Sequence, residues 1–218
     1  ADSSFPMSAQ VILRCLGEIP HDISHDIPHD IVVLSDRIHL GERGFEGLGE
    51  RSKSPEYRLL PIRALLTLTL PEGVIGTISY RYGGKTFTAE NTTPGASETN
   101  ALLQDMMKAG TTHVVMEVSS HALHQARVEG IDFNIALFTN LTHDHLDYHG
   151  DFESYGAAKR LLFEDYLLRS HKKKKYAIMN IDDPSVREFV IGHPVTMLSY
   201  STRGFADACL SSYSESID

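Results

Sequence analysis

The sequence predicts an α/β fold, a mostly parallel sheet flanked by helices, preceded by an irregular N-terminal segment. Two observations lead there. From Gly73 onward, apolar runs of strand length alternate with stretches of helical period, which is the pattern of α/β units. Two of those runs, HVVMEVSS (113–120) and NIALFTNL (134–141), are apolar almost throughout and end in polar residues, as strands buried on both faces do. Residues 1–72 sustain neither period and carry several prolines. They are left unassigned, and residues 73–218 form the expected domain.

Taken in order, GVIGTISY (73–80) reads as one buried strand, Gly83-Gly84 as a turn and KTFTAEN (85–91) as its hairpin partner. A helix follows, with Thr93 as its cap, Pro94 in its first turn, an apolar face of Leu102, Leu103, Met106 and Met107, and Gly110 as its stop. After the two buried strands come a helix from about Asp151 to Leu168, strand YAIMNI (176–181), a short helix after Asp183-Pro184 and strand TMLSYS (196–201). The basic run HKKKK (171–175) reads as the solvated end of a helix. Upstream, the repeat HDIS-HDIP-HDIV sets His21, His25 and His29 at helical spacing, but Pro20 and Pro28 oppose a helix, so it reads as low-complexity repetition.

At 218 residues, 41% hydrophobic and 22% charged, the chain can bury a sizeable core. Its net charge of −9 gives no support to a general role on nucleic acid or anionic membranes. Cys15 and Cys209 stand far apart without paired spacing, which argues against a disulfide scaffold and favours a reducing compartment. No apolar run approaches the roughly 20 residues that cross a bilayer, and no signal-peptide pattern opens the chain. A cytoplasmic protein without membrane insertion is expected.

Open α/β sheets bind ligands beyond the C-terminal ends of their strands, which directs attention to Glu117–His121 and Thr139–His149. THDHLDYHG (142–150) is the densest cluster. His143, His145 and Asp147 match the H-x-H-x-D spacing of dinuclear-zinc hydrolases, but those need a histidine directly after the aspartate, where Tyr148 stands. The zinc reading therefore fails. By residue type alone, Asp144 and Asp147 are turn formers and His143 a loop residue.

Three blocks in fixed order carry the specific signal: ENTTPG (90–95), MEVSSHALHQARVEG (116–130) and FTNLTHDHLDYHGDFESYGAAKRLLF (138–163). Together they resemble the Mur ligase family, over about residues 73–201, most closely the members that add the third amino acid to UDP-N-acetylmuramoyl-L-alanyl-D-glutamate in peptidoglycan synthesis. The resemblance implies the family's central, P-loop-NTPase-like domain and an ADP-forming amide ligase that activates a carboxylate as an acyl-phosphate. It implies ATP and Mg2+ as cofactors, with Glu117 and His145 as magnesium ligands. Lys159 falls on the lysine that the family carbamylates, a catalytic group that also reaches the metal. Asn91, Thr92, Thr93, Ser119, Gln125 and Arg127 fall on positions that bind the UDP-N-acetylmuramoyl-dipeptide, and the acceptor implied is diaminopimelate or lysine. Read without the family, Thr93 is a helix cap, Arg127 a partner in a surface ion pair and Lys159 a solvated helix residue.

One expected element is degenerate. A phosphate-cradling G-x-x-x-x-G-K-[ST] loop belongs before the GVIGTI strand. GLGERSKS (47–54) comes nearest, with Gly47, Lys53 and Ser54 in register but Ser52 in place of the second glycine and Glu50 adding negative charge. Lys53 and Ser54 are thus the candidate nucleotide contacts, and GGKT (83–86) lies in a hairpin. The family's C-terminal domain has no counterpart in the sequence. The expectation is an amide ligase or, as the alternative, a fragment that binds UDP-muramoyl substrate without ATP turnover.

Overall fold

A computed structural model of the chain describes residues 30–35, 72–142, 146–201, 203 and 205–209. Its strands are β1 (Asp30–Ser35), β2 (Glu72–Ile75), β3 (Ser79–Tyr82), β4 (Lys85–Thr88), β5 (His113–Val118), β6 (Ile135–Phe138), β7 (Tyr176–Asn180), β8 (Thr196–Ser201) and β9 (Ala208–Cys209). They form one sheet in the order β4-β3-β2-β5-β1-β6-β7-β8-β9. Pairing is parallel from β2 to β9, and β3 and β4 add an antiparallel edge. The mostly parallel α/β sheet expected from the sequence is what forms.

The central strand is β1, paired with β5 on one side and β6 on the other. It lies in the segment left unassigned, where DIVVLS begins inside the third His-Asp-Ile repeat. A six-residue strand is too short to show a period against that repetitive background, and its pairing partners are far away in sequence. His21, His25 and His29 lie outside the described residues.

The expected strand at 73–80 is divided. β2 ends at Ile75, the chain bends through Gly76-Thr77-Ile78, and β3 returns antiparallel, with Val74 opposite Arg81. A second turn at Gly83-Gly84, both with positive φ (54° and 73°), sends β4 back along β3; glycine takes this backbone without steric cost.

Helix α1 spans Ala96–Lys108, and its N-cap is Gly95 rather than Thr93, whose hydroxyl is engaged elsewhere. At its C-terminus Gly110 (φ 82°) donates its N–H to the Met107 carbonyl, and Thr111 donates to the Met106 carbonyl. This left-handed closure satisfies two carbonyls that a helix end leaves open. Met106 is fully buried, whereas Met107 is half exposed, so the apolar face is narrower than the sequence predicts.

Val114, Met116 and Val118 of β5, Ala136 and Phe138 of β6, and Ala177 and Met179 of β7 share one sheet face in the main core. Met106 and the helical residues Leu162, Phe163, Tyr166 and Leu167 pack into the same cluster. Val115, Leu137 and Ile178 alternate onto the other face and are equally buried, which is why these strands read as unbroken apolar runs.

α2 (Ser120–His124) and α3 (Leu146–His149) are short, and α4 (Phe152–Leu161) is capped by Asp151, whose carboxylate accepts the Ser154 N–H at 2.7 Å. The helix expected as far as Leu168 is continuous but changes pitch, with π geometry over Leu162–Tyr166 before α geometry returns over Leu167–Arg169. The basic run that follows is not wholly solvated. Lys172 and Lys175 are buried, and the Lys175 ammonium donates to the carbonyls of Leu168 (2.5 Å) and Ser170 (3.1 Å), a cation at the negative end of a helix.

Gly73 faces α1, where an added Cβ would stand 2.6 Å from the Met106 sulfur. Gly73→Ala must push that buried side chain off its site and is expected to cost about 1–3 kcal/mol, as overpacking does, measured as a lowered urea midpoint at unchanged m-value.

Candidate functional site

The chain leaves β1 towards β2 on one side of the sheet, while β6 lies on its other side, so the C-terminal end of β1 is a switch point flanked by the ends of β5 and β6. Ligand crevices of open α/β sheets form at such points. Glu117 of β5 stands level with Leu34 of β1, which is level with Leu137 of β6. Its side chain is buried, at 4% exposure. The carboxylate accepts the backbone N–H of Thr77 at 3.2 Å and also the Thr77 hydroxyl. The Thr77 hydroxyl lies 3.2 Å from that of Thr92. The bend that divides β2 from β3 thus delivers Thr77 to the glutamate.

The Asn91-Thr92-Thr93 loop is fastened to the same strand end. Thr93, 1% exposed, donates its hydroxyl to the Glu117 carbonyl at 2.8 Å and accepts the Ser119 N–H at 3.1 Å. The Tyr80 hydroxyl donates to the Asn91 carbonyl at 2.6 Å. Burial raises the Tyr80 phenol above its ordinary pKa, outweighing that hydrogen bond, and the nearby Glu98 and Glu90 add to the rise. The phenol therefore stays a neutral donor.

Ser119 is the N-cap of α2, its hydroxyl accepting the Ala122 N–H at 3.2 Å. Beyond α2, Arg127 donates from Nη1 to the Thr93 carbonyl (3.0 Å) and from Nε to the Gln125 side-chain oxygen (2.8 Å). In place of the surface ion pair that its residue type suggests, Arg127 meets these two neutral acceptors. The Gln125 amide in turn donates to the Tyr148 hydroxyl at 2.9 Å, and the His124 ring nitrogen lies 2.9 Å from the same oxygen.

On α3, Asp147 is exposed and Tyr148 packs its ring 4.0 Å from that of His121. His149 approaches the Ser120 hydroxyl at 3.0 Å and lies 5.4 Å, ring to ring, from Tyr155. The same Tyr155 ring lies under the Lys159 ammonium at 4.8 Å. Lys159 is 1% exposed and donates to the Asn140 carbonyl at 2.8 Å. It is not the solvated lysine its residue type suggests. The loop after β6 is held from the β7 side as well, where Asn180 donates to the Thr139 carbonyl and the Asp183 carboxylate accepts the Leu141 N–H, both at 2.7 Å.

Asn91, Thr92, Thr93, Glu117, Ser119, Gln125 and Arg127 therefore belong to one bonded assembly, and contacts through Ser120, His149 and Tyr155 connect it to Lys159. Lys53, Ser54, His143, Asp144 and His145 lie outside the described residues. Among the described residues no three His, Cys, Asp or Glu side chains converge as a metal cage. Magnesium commonly takes only one or two protein carboxylates and completes its shell with water and phosphate oxygens. One carboxylate at the strand end, Glu117, suits that donor set.

Sequence reasoning missed Thr77, Tyr148 and Asp183. Thr77 follows a glycine in what reads as mid-strand, a pattern that can mark a bend. Asp183 precedes a proline, the local signature of the cap it also forms for the 3-10 helix Pro184–Glu188. For Tyr148 there was only its place in the histidine cluster.

Thr93→Val leaves a buried N–H and a carbonyl without their partner. It is expected to destabilise the fold by about 1–3 kcal/mol, while Thr93→Ser keeps the hydroxyl and most of the stability. Paired urea titrations of the two variants measure the difference.

The family described as Mur ligase middle domain matches residues 61–216, beginning upstream of the boundary expected at 73. The UDP-N-acetylmuramoyl-L-alanyl-D-glutamate--2,6-diaminopimelate ligase of Geobacter metallireducens is 49% identical over 116 residues, 53% of this chain and 23% of that protein. The ligase of the same name from Solibacter usitatus is 44% identical over 168 residues, 77% of this chain and 33% of its own length. A solved structure of a ligase of that name superposes with a TM-score of 0.64 and 26% identity, covering 84% of this chain and 34% of the other. The chain thus spans about a quarter to a third of the length of these two relatives. Among the described residues, no helix is long and apolar enough to cross a membrane.

Proposed function

The chain belongs to the Mur ligase family through its middle domain, and from that premise we propose that it is the central part of a MurE-type ligase in peptidoglycan synthesis. The reaction proposed is the ADP-forming addition of a third amino acid to UDP-N-acetylmuramoyl-L-alanyl-D-glutamate through an acyl-phosphate. The names of the relatives favour diaminopimelate over lysine as the acceptor. The observation that carries the reading is the assembly at the C-terminal ends of β5 and β6, where the three family blocks meet at the switch point of the sheet.

In this reading the Asn91-Thr92-Thr93 loop, Ser119, Gln125 and Arg127 hold the UDP-muramoyl substrate. Arg127 is already oriented by the Thr93 carbonyl and the Gln125 side chain, so its remaining donors meet an anionic group with little ordering cost. Glu117 offers a buried oxygen donor to magnesium, and His145 is the second proposed ligand. Magnesium bound with ATP screens the phosphate charge so that a carboxylate can approach. Lys53 and Ser54 are the proposed nucleotide contacts.

Lys159 as an unmodified amine cannot ligate a cation while protonated. Carbamylation would turn it into a carboxylate, and its burial beside Tyr155 supports an unusual role for this lysine. Incubation with 13C-bicarbonate is expected to give a carbamate carbon resonance that Lys159→Arg removes.

Calorimetry of the chain with UDP-N-acetylmuramoyl-L-alanyl-D-glutamate tests the substrate site. Arg127→Ala is expected to weaken binding by about 10- to 100-fold, the loss of a charge-assisted hydrogen bond. A parallel titration with magnesium-ATP is expected to show binding that Lys53→Ala abolishes. Substrate binding with no nucleotide binding would leave the chain a binding-only fragment, and absence of both would reject the reading.

A further inference from the structure

Tyr148 has no part in the reaction proposed above, yet its hydroxyl bonds to a side chain that does. It sits on α3, 38% exposed, and its ring packs on that of His121 in α2 with centroids 4.0 Å apart. That contact sets where the ring lies. The hydroxyl then reaches Gln125, accepting from Nε2 at 2.9 Å, while His124 Nδ1 lies 2.9 Å from the same oxygen.

Gln125 passes the constraint on. An arginine can only donate, so the oxygen end of the Gln125 amide faces Arg127 Nε, which donates to it at 2.8 Å. The nitrogen end is thereby turned to the Tyr148 hydroxyl, which supplies its acceptor. Arg127 Nη1 is meanwhile taken by the Thr93 carbonyl at 3.0 Å. Nη2 makes neither bond. Among the described residues the buried side-chain nitrogens without a partner are those of Arg81, so Arg127 Nη2 is open to a ligand.

The backbone supports the same arrangement. α2 closes with the Arg127 N–H donating to the Ala122 carbonyl at 2.8 Å and the Ala126 N–H to that of Leu123 at 3.1 Å, a left-handed cap in which glycine is usual. Here the left-handed residue is Ala126, with φ 53°, a backbone that L-residues avoid. Such a conformation persists where surrounding contacts over-determine it, and the hydrogen bonds running from Tyr148 through Gln125 and Arg127 to Thr93 are contacts of that kind.

We propose that Tyr148 is a positioning residue for the UDP-muramoyl substrate: by fixing the Gln125 amide it holds the Arg127 guanidinium so that Nη2 is presented to an anionic group of that substrate. This role rests on Arg127 being a substrate contact, as proposed above.

Tyr148→Phe is the variant that tests it, because it removes the hydroxyl and keeps the ring on His121. The first readout needs no ligand: exchange of the Arg127 Nε–H with water, followed by 15N NMR on the chain, is expected to quicken at least about threefold while the urea midpoint stays unchanged. Unaltered exchange would overturn the proposal. The second readout is calorimetry with UDP-N-acetylmuramoyl-L-alanyl-D-glutamate, where Tyr148→Phe is expected to weaken binding about 2- to 10-fold, the range of one hydrogen bond. In the Arg127→Ala background the same substitution is expected to add no further loss, since the two residues act as one unit. Additive losses would show that Tyr148 acts on the substrate without Arg127 and would overturn the positioning role while leaving the substrate site standing. Absence of binding by the unsubstituted chain would reject the substrate reading itself, and this role with it.

Discussion

The hydroxyl of Thr93 bonds at the same time to the Glu117 carbonyl and the Ser119 amide. These groups stand where β5 gives way to α2, and the bonds bring to them a loop more than twenty residues upstream. Arg127 closes the figure by donating to the Thr93 carbonyl. Three pieces of chain are thereby fixed with respect to one another through neutral acceptors. Buried hydrogen bonds of this kind are directional, so they set geometry more strictly than apolar contact does.

Neutral groups also contact the buried Lys159. Lys159 meets a backbone carbonyl and the face of an aromatic ring, interactions that accommodate a positive charge without neutralising it. The carbonyl comes from Asn140, in the loop that Asn180 and Asp183 hold from the neighbouring strand. β7 thus supports the position of Lys159 indirectly, through the backbone that the lysine touches.

Much of this was legible in the sequence. The strands at 113–118, 135–138 and 176–180 were readable because burial on both faces leaves an apolar run that few other structures produce. The cap at Asp151 and the glycine stop at Gly110 were readable because each answers a local backbone need. What could not be read depends on distant partners. β1 shows no period of its own, Thr93 is a good local cap that a better long-range partner claims, and Lys175 is buried because a helix end lies beside it. The site residues were found by resemblance to a family; their residue types alone favoured the solvated lysine and the surface ion pair, neither of which the structure shows.

The position of β1 also bears on how the chain reaches its fold. Its partners lie more than eighty residues downstream on one side and more than a hundred on the other. The middle of the sheet therefore cannot close until β6 is available, however early β1 leaves the ribosome. Until β1 is inserted between them, β5 and β6 each have an edge with unpaired backbone groups. Long loops must be closed before these pairings form, so folding should be slow. The waiting edges are the kind that invite association between chains, which makes assembly of the centre of the sheet the stage at which this protein is most exposed to aggregation.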